Sequence, residues 1–214
     1  MVAGVVIGAI AVDALRSRPE RRDIPLALLP ALFALHSLIE AFVWWSGRGQ
    51  ISESWGTMAT YAYVFIAYAV LPTLLPLAVL SRERQPQKRR ALTALLAIGL
   101  VVSAVMVYAV VDGPLTATLE HHYIKYGAGI PEPTLIVGAY VVTTCGAGLL
   151  SSSRTIFWFS VANVVVVSLL AWVMTAALTS LWCGWAAVTS IAIALMLRRS
   201  ARERRGLTAQ PVEQ

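Results

Sequence analysis

Charge is scarce in this chain. Only 13% of its 214 residues are Asp, Glu, Lys or Arg, against 58% hydrophobic residues, where a soluble domain carries about 25% charge. Too little polar surface is left to coat a water-soluble globule. Cysteine is nearly absent: Cys145 and Cys183 are the two. Both fall in apolar segments at different expected depths, which argues against a disulfide, and two cysteines without matched spacing make no zinc site. The last apolar segment holds no lysine, so a retinal-type Schiff base is not expected. Asp-rich diphosphate-binding motifs are missing too, which argues against ionisation of a prenyl diphosphate. No basic region precedes the first apolar stretch, so it does not read as a cleavable signal peptide.

What the chain does have is long apolar runs separated by clusters of charge. A hydrocarbon core of about 30 Å needs roughly 20 apolar residues per helix, and backbone groups inside it must be satisfied within each span. The runs predict helices over about Val2 to Leu15, Ile24 to Trp45, Thr57 to Leu80, Ala91 to Val111, Thr134 to Leu150, Thr155 to Ala177 and Ser180 to Leu197. The fold class is therefore all-α: a polytopic membrane protein with a bundle of seven transmembrane helices. One domain is expected over residues 1–200, with a polar, disordered tail over 201–214.

The basic residues orient this bundle. The loops after the first, third and fifth helices, together with the tail, hold 15 of the 17 Lys and Arg residues; the opposite side has Arg48 and Lys125. Basic loops stay cytoplasmic, so the expected topology is N-terminus outside and C-terminus in the cytoplasm, in a bacterial cytoplasmic membrane. The net charge of +6 is then a mark of topology and of contact with anionic lipid headgroups, and no nucleic-acid partner is expected. Among the helix breakers, Pro25 suits a first helical turn, Pro30 is expected to kink the second helix, and Pro72 and Pro76 the third. Gly138, Gly146 and Gly148 suggest close helix contact on the fifth.

The sharpest chemical feature lies on the second helix, in His36-Ser-Leu-Ile-Glu40-Ala-Phe-Val-Trp44-Trp45. Spacings of four put His36, Glu40 and Trp44 on one helical face. Ionisable groups inside a membrane are expensive and face the bundle interior or a watery cavity, and a carboxyl beside an imidazole is the usual make-up of a tuned proton donor. The bland alternative is that His36 and Glu40 only lock helix packing.

A second feature is the loop from Asp112 to Glu132, which carries Glu120, His121 and His122. Loops of that length are often lids or binding segments, and this one is expected to bring Asp112, Glu120, His121 or His122 to a site. No further ligands follow the two histidines at metal-site spacing, so no metal or cofactor is expected. A third feature is aromatic. Tyr61, Phe65 and Tyr68 form a stripe on the third helix with Tyr63 beside it, and Trp182 and Trp185 open the seventh. Interfacial Trp and Tyr belts arise regardless of function, a reading that suits Trp45 and Trp55. Tyr68 and Trp185 are deeper and make better cavity walls. Together these segments predict an aromatic pocket in the outer half with Glu40 on its wall. Asn163 is expected to hydrogen-bond across helices.

The stretch from Arg21-Arg22-Asp23-Ile24-Pro25-Leu26-Ala27 through His36-Ser-Leu-Ile-Glu40-Ala-Phe-Val-Trp44 resembles the second helix of an uncharacterised family of small bacterial polytopic proteins. The His121-His122 loop and the Trp182-Cys183 start of the seventh helix are similar too. That pattern implies a longer N-terminal segment with Cys-Phe-Ser and a glutamine near the place of His36; this chain departs at both points. By looser analogy of architecture, the size and the intramembrane acid resemble small membrane-bound terpene cyclases of the bacterial indole-sesquiterpene type. That analogy implies proton-initiated cyclisation of a hydrophobic prenylated substrate, such as one bearing an indole or epoxide. Glu40 would be the acid, assisted by His36 and by Asp112 or Glu120, while Trp44, Tyr61, Phe65, Tyr68, Trp182 and Trp185 would line the pocket. Aromatic faces would stabilise the travelling cation. The competing expectations are a proton-coupled transporter or sensor with Glu40 and His36 as a relay, and a different lipid-modifying, metal-binding or haem protein.

Overall fold

The computed structural model describes residues 2–16, 19–120, 123–173 and 178–208, with the side chains of 3, 170–184 and 203–208 excepted. Of the described residues, 81% are helical, in seven rods. Helix α1 spans Val2–Arg16, and a 3-10 turn, Arg21–Asp23, leads into α2, Ile24–Gly47. The third rod is α3, Glu53–Phe65, a π turn, Ile66–Val70, and α4, Leu71–Leu80. Then come α5, Pro86–Asp112, a hairpin of β1, Thr116–Leu119, and β2, Ile124–Gly127, and finally α6, Pro133–Leu149, α7, Arg154–Val173, and α8, Leu178–Thr208. Among the described residues, three rods are long and apolar enough to cross a membrane: Arg21–Gly47, Glu53–Leu80 and Pro86–Asp112. Pro133–Leu149 and Arg154–Leu169 are shorter apolar helices. Helix α8 continues to Thr208, past the Leu197 end read from hydropathy, because the basic segment beyond it keeps helical backbone geometry.

Prolines open three of these helices where an N–H would be unsatisfied anyway: Pro25 in α2, Pro86 in α5 and Pro133 in α6. Helix α2 passes through Pro30 without a break, whereas the rod containing Pro72 is reshaped. Pro72 has no N–H, and its ring crowds the carbonyl four residues back. The preceding turn widens, and the Leu71 N–H donates to the Ile66 carbonyl in π fashion. Neighbouring helices satisfy the carbonyls this exposes. The Tyr140 hydroxyl of α6 donates to the Ala67 oxygen (2.9 Å), and Ser103 Oγ of α5 donates to the Ala69 oxygen (2.7 Å). Thr73 Oγ1 lies 2.8 Å from Ser103 Oγ and closes the network. Gly99 allows α5 to come this close, since a Cβ there would fall on the Pro72 carbonyl oxygen.

Helix α2 is central and packs on α1, α3, α4 and α8. The main core forms where Leu26, Leu29 and Phe33 of α2 meet Ile7 and Ala14 of α1, Leu71 and Ala78 of α4, and Ile193 and Leu197 of α8. Of the glycines expected at close contacts on α6, only Gly148 is at one, against Ser160 of α7. A Cβ on Gly138 meets nothing, and one on Gly146 meets only its own helix at van der Waals distance. Neither Gly138 nor Gly146 has an atom of another element within 4 Å of where its Cβ would stand.

Polar contacts tie one end of the bundle together. The Arg198 guanidinium of α8 makes a two-pronged pair with Asp13 of α1 (2.6 and 2.5 Å). Arg82 pairs with Asp23, which is only 2% exposed. Ser81 Oγ donates to the Arg22 carbonyl (2.8 Å). Lys88 Nζ donates to the Ser151 carbonyl (3.4 Å). This basic end therefore gathers the α1–α2, α4–α5 and α6–α7 connections with the last part of α8. The hairpin covers the opposite end.

Candidate functional site

The site develops from the polar face of α2. His36, Ser37 and Glu40 are all buried in a helix whose other residues are almost entirely apolar. Residues four apart share a helical face, so His36 and Glu40 are one turn apart and both inside. The His36 ring stacks on Tyr63 of α3, with centroids 3.8 Å apart and planes 21° from parallel. Tyr63 stacks in turn on Tyr126 of β2, at 4.4 Å and 17°. An imidazole and two phenols thus form a continuous column from the bundle interior into the hairpin. Tyr63 is 1% exposed. Among the described residues, His36 Nε2 and Ser37 Oγ have no hydrogen-bond partner.

The hairpin's register shows why it seats here. Ala117 pairs with Tyr126 and Leu119 with Ile124, and paired residues, like residues two apart on a strand, share a face. That puts the four apolar side chains on one side, and the fully buried Ile124 packs with Val43 of α2 and Ala59 of α3. The other face carries Thr118 and the exposed Lys125. The long connection is thus a cap packed on α2 and α3.

The residues singled out from the sequence divide into three groups. His36 and Glu40 are buried together on α2. Trp44 continues their face half-buried, with the Arg48 guanidinium 5.1 Å from its ring centroid. Tyr68 is half-buried and packs beside the Tyr63–Val110 cluster. Trp185 is also half-buried, but it belongs to another part of the bundle: its indole N–H donates to Asn163 Oδ1 (2.7 Å), and Asn163 Nδ2 donates to Cys145 Sγ (3.6 Å). Asn163 thus links α7 to α8 and α6. Tyr61 and Phe65 are exposed on the outward face of α3, and Asp112 and Glu120 are exposed at the hairpin end. His121, His122 and the Trp182 side chain lie outside the described residues. The aromatic rings around His36 are packed face to face. The cavity that five helices surround lies elsewhere, toward the basic end, and Glu40 is not among its lining residues. No cluster of His, Cys, Asp or Glu able to hold a metal occurs among the described residues.

Sequence reasoning missed Tyr126, Tyr140, Ser103 and Glu83. A signal for Tyr126 was present, since Ile124-Lys125-Tyr126 alternates apolar and charged residues as a half-buried strand does. Glu83 had none. Its Oε1 accepts the Arg84 and Gln85 N–H groups (2.9 Å each) and its Oε2 the Ser152 N–H (2.7 Å). Burial pushes this carboxyl up, but the backbone N–H groups of Gln85, Ser152 and Arg84 outweigh burial and hold it down at about 2.

The family described as "Family of unknown function (DUF6629)" matches residues 1–210 of this chain. Comparison with curated proteins and with solved structures finds no match.

Proposed function

We propose that this chain, which belongs to the DUF6629 family, is a seven-span membrane protein whose working centre is the buried His36–Glu40 face of α2, used as a proton-linked relay in a sensor or transporter. Three observations support the membrane setting: the three long apolar rods, the outward Val101, Val111 and Leu135, each more than 60% exposed, and the basic residues gathered at one end. Exposed aliphatic surface of that extent is unfavourable in water and suits lipid. By the rule that basic segments stay inside, the basic end is cytoplasmic and the hairpin caps the outer face.

The observation that carries the relay is the column of His36, Tyr63 and Tyr126. Histidine is the side chain whose ordinary titration spans physiological pH. Here a buried imidazole contacts the hairpin through one tyrosine, so a change in its charge alters the packing that seats the cap. The test is hydrogen exchange, corrected for intrinsic rates, at the Ile124–Gly127 amides across about pH 4 to 8, on protein in lipid nanodiscs. Protection should change with pH in the wild type and become flat in His36→Phe and Glu40→Gln. Identical pH dependence in all three proteins would rule the relay out.

Proton-initiated cyclisation of a prenylated substrate is the second reading, supported by one observation: an acid buried one turn from an aromatic column, where ring faces stabilise cations. It requires the hairpin to lift and make room beside Glu40. Incubation with prenylated indoles, followed by mass spectrometry of products, separates the two readings, because the relay alone leaves the substrate unchanged.

A further inference from the structure

The half of the bundle nearer the basic end contains a cavity of about 110 Å³ between α2, α4, α6, α7 and α8. Leu29 and Phe33 of α2, Ala147 of α6, Ile156 of α7 and Ile193 of α8 supply apolar walls, and no charged side chain lines it. Thr144, Thr155, Ser160, Asn163 and Thr189 add polar groups, most of which are already engaged. Thr144 Oγ1 donates to the Tyr140 carbonyl (2.8 Å) and Thr189 Oγ1 to the Trp185 carbonyl (2.9 Å). The Asn163 amide is held between Trp185 and Cys145. Of the two hydroxyls left among the described residues, that of Thr155 is exposed and that of Ser160 is the buried one open to a guest. Gly148 makes room for it, since a Cβ there would strike Ser160 Oγ.

This arrangement selects its occupant. A buried water needs two to four polar partners, and an engineered apolar cavity of about 150 Å³ stays dry and takes benzene. Here the wall offers one buried uncommitted hydroxyl, since the other, on Thr155, is exposed, so water is poorly held. An ion is disfavoured more strongly, with no opposite charge to meet it. We propose that the cavity is a ligand site for a neutral, largely apolar group about one ring in size, carrying a single hydroxyl or carbonyl oxygen that meets Ser160. The guest is either a free small molecule or the end of a membrane lipid. The site is independent of the relay, since neither His36 nor Glu40 lines it.

Benzyl alcohol is a suitable probe and benzoate its charged counterpart, each followed by saturation-transfer NMR on the full chain in nanodiscs. Benzyl alcohol should bind saturably and benzoate should not. Ser160→Ala should weaken binding by about three- to tenfold, the value of one hydrogen bond. Ala192→Phe, which fills the cavity, should abolish saturable binding. Leu195→Phe, on the exposed face of the same helix, should leave it intact. If Ala192→Phe does not fold, Ser160→Ala and the benzoate comparison still decide the matter. Uptake that never saturates, equal uptake of benzoate, or binding unchanged by Ser160→Ala would overturn the proposal. Release of a co-purified lipid by benzyl alcohol would identify a lipid end as the resident, and binding without release a free molecule; both uphold the site.

Discussion

The two ends of this bundle differ in how fully their buried ionisable side chains are hydrogen-bonded. At the basic end the buried groups are compensated: Asp23 has Arg82, and Glu83 accepts three backbone N–H groups. Toward the hairpin, the His36 ring is buried by stacking, and its Nε2 is without a hydrogen bond among the described residues. Satisfied buried networks rigidify a fold, whereas a buried polar atom without a partner costs stability. The contrast fits the proposed division, with architecture at the basic end and the relay at the hairpin end.

Four substitutions break or sharpen that contrast. The largest effect is expected for Asp23→Ala, which leaves Arg82 without its buried partner. A loss of about 3 kcal/mol is expected, read as a lowered unfolding midpoint in detergent. Next is the pH dependence given by Glu83. Its folded value of about 2 lies below its ordinary 4.5, so its stabilisation is complete above about pH 4.5 and is lost as pH falls toward 2. The loss is on the order of 2 kcal/mol after allowance for solvent screening. Glu83→Gln should be less stable at neutral pH and should flatten the acid limb of the unfolding curve. At the other end, Tyr126→Ala removes the outer ring of the column. About 1 kcal/mol beyond lost burial is expected, with faster amide exchange confined to the hairpin and no change at the basic end. The smallest effect belongs to Asp13→Ala. Its pair with Arg198 is exposed on both sides, and such pairs contribute little, so the unfolding midpoint should be unmoved in high salt. A large effect there, or a global effect from Tyr126→Ala, would erase the distinction between the ends.

The helices were legible because hydropathy is a local property. Each apolar run between charge clusters became a rod, and Pro25 marked the start of α2 as its missing N–H requires. The burial of His36 and Glu40 was also legible, since an ionisable pair one turn apart in an apolar helix has few places to go. The aromatic stripe was read less well. Tyr61 and Phe65 face outward, and Tyr63, their neighbour, is the ring stacked on His36. Residues two apart on a helix point in different directions, and without knowing where α2 and α5 lie neither direction could be preferred. The π turn had only the hint of Pro72; its repair by Ser103 and Tyr140 depends on residues distant in sequence.

Composition alone determined that this is an all-helical, lipid-compatible chain with its cations gathered at one end, because apolar length and charge placement need no partner to be expressed. Tertiary structure decided the rest. It stacked His36 on Tyr63 and Tyr126, buried Glu83 under three N–H groups from two loops, and left a neutral cavity where five helices fail to close. Each of these depends on which faces meet, and faces meet only once the helices have packed.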